Sequence, residues 1–380
     1  MRYIEPFVRE DLARKMVLVG GPRQVGKTTL AKHILDLQTG RYFNWDYDTD
    51  RQAILGMQWA DDVPLLVFDE LHKFPRWKNW LKGVYDVQGS RHSFLITGSA
   101  RLDLYRRGGD SMLGRYHYWR LHPYTLDELP AGVKGPEGLE RLMQLGGFPE
   151  PFLENNPRNA RRWRRERLNL VLREDIRDLE PVRDIGNLVL LLDLLRSRVG
   201  GMLVISNLAG DLHVAPQSVK AWLAVFERMY LTFTVRPYIR SLPRAVLKPP
   251  KVYFFDNQDV MGDDGARFEN LVAGHLLKRL HFEEDYGGRR CELHYIRDKE
   301  GREVDFAIVR DGVLEELLEV KYSNSEVSRH LKYYVKKLNP AKATQIVANL
   351  KNPFDRDGIR VTGPLEYFAD PPWKQTVVGA

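Results

Sequence analysis

The sequence predicts an α/β multidomain protein, and three observations support this prediction. The chain has 380 residues, which corresponds to two or three domains at about 150 residues each. Hydrophobic residues make up 43% and charged residues 29% of the chain, as in globular proteins with well-packed cores. Short apolar segments near residues 16, 65 and 93 end in glycine or polar residues, a pattern typical of buried strands.

Composition also limits the compartment and the partners of the chain. The 58 basic residues exceed the 51 acidic residues by 7, which favours a polyanionic partner where the cations cluster. Cys291 is the single cysteine and cannot form an internal disulfide. The N-terminus lacks a secretion signal, and apolar runs such as 188–195 are too short to cross a bilayer. We therefore expect a cytoplasmic protein without a membrane partner.

The first motif with a chemical role follows a predicted strand at residues 16–19. Its spacing is glycine, four residues, glycine, lysine and threonine, between a strand and a helix, which predicts a phosphate-binding loop. Such a loop surrounds phosphate oxygens with backbone N–H groups at a helix N-terminus. Lys27 is predicted to reach the β and γ phosphates of ATP, and the Thr28 hydroxyl to ligate Mg²⁺. The predicted nucleotide-binding residues are Gly21, Pro22, Arg23, Gln24, Val25, Gly26, Lys27, Thr28 and Thr29.

Two carboxylates follow the next apolar strand, at residues 65–68. Because parallel strands place their carboxyl ends at one edge of a sheet, Asp69 and Glu70 are expected near the phosphate loop. Asp69 is predicted to bind Mg²⁺ directly or through its outer shell. Glu70 is predicted to act as the general base that polarises the attacking water.

Two further positions are candidates for contact with the γ phosphate. The strand at residues 93–97 ends at Thr97, and either Thr97 or Ser99 is predicted to touch the γ phosphate or the water. Arg115 follows a glycine-rich stretch and has two interpretations. It reaches the γ phosphate from a neighbouring subunit of a homo-oligomer, or it forms a local salt bridge.

Five motifs in this chain resemble those of a large prokaryotic family of AAA-type ATPases. They are Gly21-Pro-Arg-Gln-Val-Gly-Lys-Thr-Thr, Asp69-Glu-Leu-His-Lys-Phe-Pro-Arg-Trp, Thr97-Gly-Ser, Leu113-Gly-Arg with Leu121-His-Pro, and Leu145-Gly-Gly-Phe-Pro. The resemblance covers nearly the whole chain, although we find no matching second-sensor arginine. It implies a P-loop parallel-sheet ATPase core over residues 1–150, a helical lid or linker over 151–200, a winged helix over 201–260 and a restriction-endonuclease-like domain over 261–380.

The middle of the chain carries a cluster of cations and a helix-turn-helix pattern. Six arginines surround Trp163 on a predicted helix, either as a phosphate-contacting surface or as a solvated face paired with Glu174, Asp175 and Asp178. Two helical segments around Pro216 precede two strand-like segments, which is typical of a winged helix. Cations surround this pattern: Lys220, Arg228, Arg236, Arg240, Arg244, Lys248 and Lys251. We expect nucleic-acid contact here, with DNA favoured over RNA, and a packing module is the alternative.

A second set of chemical residues lies near the C-terminus. Asp305, then Glu319 and Lys321 on a following strand, with Glu269 on an upstream helix, match the PD-(D/E)XK nuclease arrangement. Glu319 and Lys321 share one face because they are two residues apart on a strand. The carboxylates of Glu269, Asp305 and Glu319 are predicted to hold Mg²⁺, and Lys321 to act on the attacking water. Cys291 and His294 have no second ligand pair and are predicted to be structural.

These patterns together predict a Mg²⁺-dependent ATPase that couples nucleotide state to nucleic-acid binding, with metal-dependent cleavage an open question. The predicted catalytic residues are Lys27, Glu70, Ser99, Arg115, Asp305, Glu319 and Lys321. The competing hypothesis is a nucleotide-dependent regulatory switch without nuclease activity. Its C-terminal domain would only recognise a protein or nucleic-acid partner.

Overall fold

The computed structural model describes residues 2–98, 112–175, 184–238, 248–323 and 325–377. The chain divides into two compact units. Unit 1 comprises Met1–His122 and Arg228–Tyr230, and unit 2 comprises Pro123–Glu227 and Leu231–Ala380. The domain boundaries at residues 150, 200 and 260 stay predictions. Among the described residues, no helix is both long and apolar enough to cross a membrane.

Unit 1 is built on a parallel sheet of five strands in the order β2-β3-β4-β1-β5. The strands are β1 (Met16–Gly20), β2 (Gly40–Asn44), β3 (Leu65–Asp69), β4 (Ser93–Thr97) and β5 (Tyr116–Arg120). The helices are α1 (Glu5–Leu12), α2 (Lys27–Asp36), α3 (Asp48–Leu55) and α4 (Trp77–Gln88). The predicted parallel-sheet core is thus confirmed.

The central strands of this sheet are apolar because they are buried on both faces. All five residues of β1 and of β3 are buried, because a parallel sheet in an α/β fold is covered on both faces. Aromatic residues fill one side of it, with Phe68 stacked between Phe43 and Phe94 at centroid distances of 5.6 and 6.2 Å. Strand β4 pairs in parallel with both β1 and β3. The carboxyl ends of all three strands therefore lie at the same edge of the sheet.

Unit 2 begins with a helical region. Its helices are α5 (Gly135–Leu145), α6 (Pro149–Glu154), α7 (Pro157–Leu170), α8 (Ile185–Arg196), α9 (Ile205–Asp211) and α10 (Pro216–Arg228), whose last residue belongs to unit 1. Helices α9 and α10 occupy the predicted helix-turn-helix segment, and Pro216 begins α10 as its fixed φ favours. The Asn156 side chain caps α7 by accepting from the N–H groups of Arg158 and Asn159.

The rest of unit 2 is a mixed sheet of eight strands in the order β12-β13-β11-β10-β9-β8-β6-β7. They are β6 (Thr232–Pro237), β7 (Lys251–Phe254), β8 (Cys291–Arg297), β9 (Glu303–Arg310), β10 (Val313–Lys321), β11 (Lys342–Val347), β12 (Phe354–Arg356) and β13 (Ile359–Thr362). Four helices accompany them: α11 (Asp264–Gly287), α12 (Arg329–Leu338), α13 (Pro364–Tyr367) and α14 (Pro372–Val377). Helix α11 and helix α12 contribute to two different cores of this sheet.

The two strands predicted as a wing have a role beyond a separate hairpin. Strands β6 and β7 are antiparallel, as a wing requires. However, β6 also pairs in parallel with β8 through Arg236 and His294. The hairpin is therefore the edge of the same sheet that carries Asp305 and Glu319.

Candidate functional site

The phosphate loop joins β1 to α2 in unit 1. Gly26 precedes the helix with a left-handed φ of 99°, and no side chain of the described residues caps the helix N-terminus. Gly21 has a φ of 139°, and a Cβ there would overlap the carbonyl oxygen of Leu121. Backbone N–H groups at the start of a helix have no intrahelical partner. The loop therefore places backbone N–H groups at the positive end of α2, as anion binding requires.

Lys27 lies within this loop. Its ammonium group donates to the carbonyl oxygens of Gly21 and Pro22, at 3.0 and 2.7 Å. The residue is 7% exposed. The Lys27 ammonium therefore lies within the phosphate loop.

Asp69 is the centre of a hydroxyl network at the edge of the sheet. Its Oδ2 accepts from Thr28 Oγ1 and from the Tyr42 hydroxyl, both at 2.7 Å. Its Oδ1 accepts from Thr97 Oγ1 at 2.5 Å. The structure thus brings together Thr28, Asp69 and Thr97, which the sequence placed on three separate elements. Burial and the Asp69 carboxylate raise the pKa of Tyr42, so its phenol stays a donor.

Glu70 follows β3 in a left-handed conformation with φ 58° and ψ 17°. Its N–H donates to the carbonyl oxygen of Thr97 at 3.0 Å. Its carboxylate lies 3.3 Å from Lys73 Nζ. Burial raises the pKa of Glu70, although the nearby Lys73 and Lys27 charges oppose the shift. A carboxylate in this environment is a stronger base than a solvated glutamate.

The other two predicted residues of this site are placed differently. Ser99 lies outside the described residues. Arg115 pairs with Asp86 through two hydrogen bonds of 2.6 and 3.1 Å. It precedes β5, at the amino edge of the sheet, so a strand length of about 16 Å separates it from the phosphate-loop edge of its own protomer. The local salt bridge is therefore the arrangement that one protomer adopts.

Arg2 is a residue of this site that sequence analysis missed. It is 8% exposed and donates to the carbonyl oxygens of Val25 and His122, at 2.8 and 2.5 Å. Its guanidinium thereby ties the phosphate loop to the end of β5. No local motif signals this contact, because its partners are 23 and 120 residues away.

The four residues predicted at the C-terminal site lie on three elements of unit 2. Glu269 is on α11, Asp305 on β9, and Glu319 with Lys321 on β10. Asp305 Oδ2 accepts from the Val320 N–H at 2.8 Å, and Lys321 Nζ lies 2.8 Å from Glu319 Oε1. Burial, then the charges of Glu319 and Glu269, raise the pKa of Asp305. Burial would lower the pKa of Lys321, but Glu319 and Asp305 raise it above its usual value. The four side chains therefore share one electrostatic site.

Lys251 was predicted as a surface cation of the winged helix, and its position corrects this prediction. It is 1% exposed, and its ammonium lies 2.6 Å from Glu303, 3.5 Å from Glu269 and 3.9 Å from Asp305. The Tyr253 hydroxyl donates to the same Glu269 oxygen at 2.7 Å. A buried ammonium is stable only among opposite charges, so Lys251 belongs to the acidic site.

The predicted Mg²⁺ site in unit 2 does not fit this arrangement. In the part of the chain that the structure describes, no three carboxylate, histidine or cysteine side chains stand together as metal ligands. Lysine ammonium groups already contact Glu269, Asp305 and Glu319. Among the described residues of this site, Glu319 Oε2 is a buried oxygen without a hydrogen-bond partner, whereas Mg²⁺ requires several oxygen ligands around one position.

The arginine cluster on α7 separates into two groups. Arg158, Arg161, Arg162 and Arg165 are exposed. Arg167 is 1% exposed. Its guanidinium carbon lies 3.9 Å from the centroid of the Phe148 ring, and its Nη1 lies 3.9 Å from Asp256 Oδ2. Arg164 donates to the Gln258 carbonyl oxygen. The predicted partner Asp178 lies outside the described residues, as do the side chains of Glu174 and Asp175.

The remaining cations of the predicted winged helix vary in exposure. Lys220, Arg236 and Lys248 are exposed and Arg228 is half-buried. Arg240 and Arg244 lie outside the described residues.

Cys291 and His294 occupy structural positions. Burial raises the pKa of the Cys291 thiol to about 12. His294 Nδ1 lies 3.2 Å from the carbonyl oxygen of Arg236 on the neighbouring strand.

Comparison with known proteins assigns a family model to each third of the chain. Residues 13–130 match a model described as an AAA domain. Residues 136–257 and 264–367 match two domains of unknown function, DUF8612 and DUF4143. With the loop geometry, the AAA match supports an AAA-type P-loop ATPase in the N-terminal part of the chain.

Similar proteins and structures span much of the chain. An uncharacterized protein of Mycobacterium tuberculosis is 24% identical over 313 residues, which are 78% of this chain and 68% of that protein. An uncharacterized protein of Methanocaldococcus jannaschii is 23% identical over 377 residues, 90% of this chain and 82% of that protein. The solved structure of RuvB, a Holliday junction branch migration motor of Thermotoga maritima, covers 60% of this chain and 85% of its own at 20% identity and a TM-score of 0.30.

Proposed function

We propose that this protein is a Mg²⁺-dependent ATPase that couples its nucleotide state to nucleic-acid binding. One observation carries the ATPase proposal: the Thr28 and Thr97 hydroxyls meet on the Asp69 carboxylate, next to the loop that holds Lys27. Phosphate-loop ATPases need this combination of a cationic loop, a hydroxyl and a carboxylate at one sheet edge.

The residues of this edge fit ATP and Mg²⁺. The loop N–H groups and Lys27 would hold the phosphates, and Thr28 with Asp69 would hold the metal. Bound Mg²⁺ supplies positive charge that neutralises the β and γ phosphates. Tyr42 and Thr97 keep the Asp69 carboxylate oriented, because each donates a hydrogen bond to it. Arg2 fixes the loop backbone at Val25.

Glu70 is proposed as the general base. Its carboxylate accepts a proton from water, and burial raises its pKa, which makes it a better proton acceptor. Ser99 is proposed to contact the γ phosphate, and Arg115 to act from a second copy of the chain. The second role requires Arg115 to leave Asp86.

Two substitutions test the ATPase proposal. Lys27→Ala should abolish nucleotide binding, measured by equilibrium binding of a fluorescent ATP analogue. Glu70→Gln should retain binding and lose hydrolysis, measured as phosphate release. Lys15→Ala is the control, since Lys15 precedes β1 at the opposite edge of the sheet. Hydrolysis at the parental rate by Glu70→Gln would contradict the role of Glu70.

The exposed arginines of α7 support the nucleic-acid part of the proposal. Arg158, Arg161, Arg162 and Arg165 share one helix, and arginine side chains pair well with phosphates. A second candidate function is a nucleotide-dependent switch whose unit 2 recognises a partner without cleaving it. The buried position of Lys251 among the carboxylates favours this candidate.

A further inference from the structure

The acidic site of unit 2 contains a cation that the chain itself provides. Lys251 comes from β7, whereas its carboxylate partners come from α11 and β9. Its Nζ lies 2.6 Å from Glu303 Oε1, 3.5 Å from Glu269 Oε1 and 3.9 Å from Asp305 Oδ1. One ammonium group therefore lies within 4 Å of three carboxylates from two elements.

Packing holds Lys251 in this position. Its side chain is 2% exposed, and its ammonium also lies over the Tyr295 ring, 5.5 Å from the centroid. Withdrawing it would deprive these half-buried carboxylates of a close counter-charge, which is unfavourable. Lys251 is therefore a fixed component of the site.

Other groups of the chain also contact oxygens of this site. Asp305 Oδ2 accepts from the Val320 N–H, Glu269 Oε1 from the Tyr253 hydroxyl, and Glu319 Oε1 contacts Lys321. Mg²⁺ demands near-octahedral oxygen ligands at about 2.0–2.1 Å. A metal ion would have to displace Lys251 and compete with these hydrogen bonds.

We propose that the Lys251 ammonium is the resident cation of the acidic site formed by Glu269, Glu303 and Asp305, in place of a divalent metal ion. Unit 2 then keeps these carboxylates as a charge cluster that the Lys251 ammonium partly compensates. This inference concerns unit 2 alone and does not rest on ATP hydrolysis.

The test counts Mn²⁺ ions bound to the full chain, without nucleotide, by electron paramagnetic resonance. All variants carry Lys27→Ala, which removes nucleotide binding. With Lys251 intact, Asp305→Asn should leave the count unchanged. Lys251→Met, which keeps the side-chain volume without the charge, should add one Mn²⁺ with a Kd below 1 mM (about −4 kcal/mol). Adding Asp305→Asn to Lys251→Met should remove that ion.

Lys321→Met is the matched control, because it removes the other lysine of the site and should add no ion. The proposal is overturned if the Lys251 protein binds an Mn²⁺ that Asp305→Asn removes. It is also overturned if folded Lys251→Met gains no ion. If Lys251→Met does not fold, the proposal is decided by the Mn²⁺ counts of two proteins that retain Lys251, one with Asp305 and one with Asp305→Asn.

Discussion

The Asp69 carboxylate is held by three hydroxyl groups from three different elements of unit 1. Thr28 and Tyr42 donate to Oδ2, and Thr97 donates to Oδ1. Hydrogen bonds to an ionised acceptor are about twice as strong as neutral ones. Asp69 itself is 3% exposed, so these donors replace water around it. The carboxylate is therefore preorganised for a cation beside Thr28.

Tyr42→Phe tests this preorganisation. It removes one donor to Asp69 Oδ2 and leaves the ring in place, so we expect the Mg²⁺ concentration for half-maximal ATP hydrolysis to rise about tenfold (about 1.4 kcal/mol). The measurement is ATPase rate against Mg²⁺ at saturating ATP. Tyr47→Phe is the control, since Tyr47 is 61% exposed. An unchanged Mg²⁺ requirement would show that Tyr42 does not position Asp69.

Asp256 in unit 2 is a second buried carboxylate, and its surroundings raise its pKa. Burial and the neighbouring Asp259 raise the pKa of Asp256 to about 7, against the opposing charge of Arg167. In the unfolded chain an aspartate titrates near pH 4. Between these values the native state holds a proton that the unfolded chain releases.

The pH dependence of stability follows from this difference. The free energy of unfolding should fall as pH rises from about 4 to about 7, by at most about 1.4 kcal/mol per pH unit, and level off above pH 7. Asp256→Asn should remove this contribution, since an amide does not titrate. Urea unfolding from pH 5 to 8 measures it, with exposed Asp264→Asn as control. A parallel pH profile for Asp256→Asn would mean that Asp256 is ionised throughout.

At the scale of an element, the loop between α5 and α6 shows why the Leu145-Gly-Gly-Phe-Pro motif contains two glycines. Gly146 has a φ of 73°, and a Cβ there would overlap Asp256 Oδ1. A Cβ on Gly147 would overlap the carbonyl oxygen of Tyr124. Both glycines therefore allow close packing against backbone and a buried carboxylate within unit 2.

Two glycine substitutions compare a position where a Cβ would clash with a position where a Cβ has space. Gly146→Ala should destabilise the protein by about 2 kcal/mol or more, because both φ and the available space oppose a side chain. Gly274→Ala, on α11, should stabilise by about 0.5–1 kcal/mol, since a Cβ there meets nothing within 4 Å. Thermal unfolding measures both. Equal effects of the two variants would contradict the role of the loop.

Features that depend on residues near each other in sequence could be predicted, whereas contacts between distant residues could not. Strands β1, β3 and β4 were predictable because strands covered on both faces are continuously apolar. Strand β5 was missed, since only two of its five residues, Tyr118 and Trp119, are buried, so it lacks a continuous apolar run. The phosphate loop and the Asp69 edge follow from local motifs. Arg2, Tyr42 and Lys251 act on residues far away in sequence, so no local pattern indicates their roles.

At the scale of the whole molecule, the net charge of +7 is distributed unevenly. Many arginines are already neutralised by neighbouring carboxylates, such as Arg289 by Asp311 and Glu315, and Arg360 by Asp355 and Glu366. Four exposed arginines of α7 differ from these: within the described residues, no carboxylate pairs with Arg158, Arg161, Arg162 or Arg165. Their charge is therefore available to a polyanion.

The salt dependence of DNA binding tests this availability. Each phosphate contact releases counterions, so log Kobs should fall with log salt by about 0.9 per contact on duplex DNA. Replacing Arg158, Arg161, Arg162 and Arg165 with glutamine should reduce that slope by about 3 to 4, measured by fluorescence anisotropy at several salt concentrations. The double variant Arg289→Gln, Arg360→Gln is the control and should leave the slope nearly unchanged, because those charges are already paired. Equal slopes for the two variants would remove α7 from the nucleic-acid surface, and binding without salt dependence would favour a protein partner.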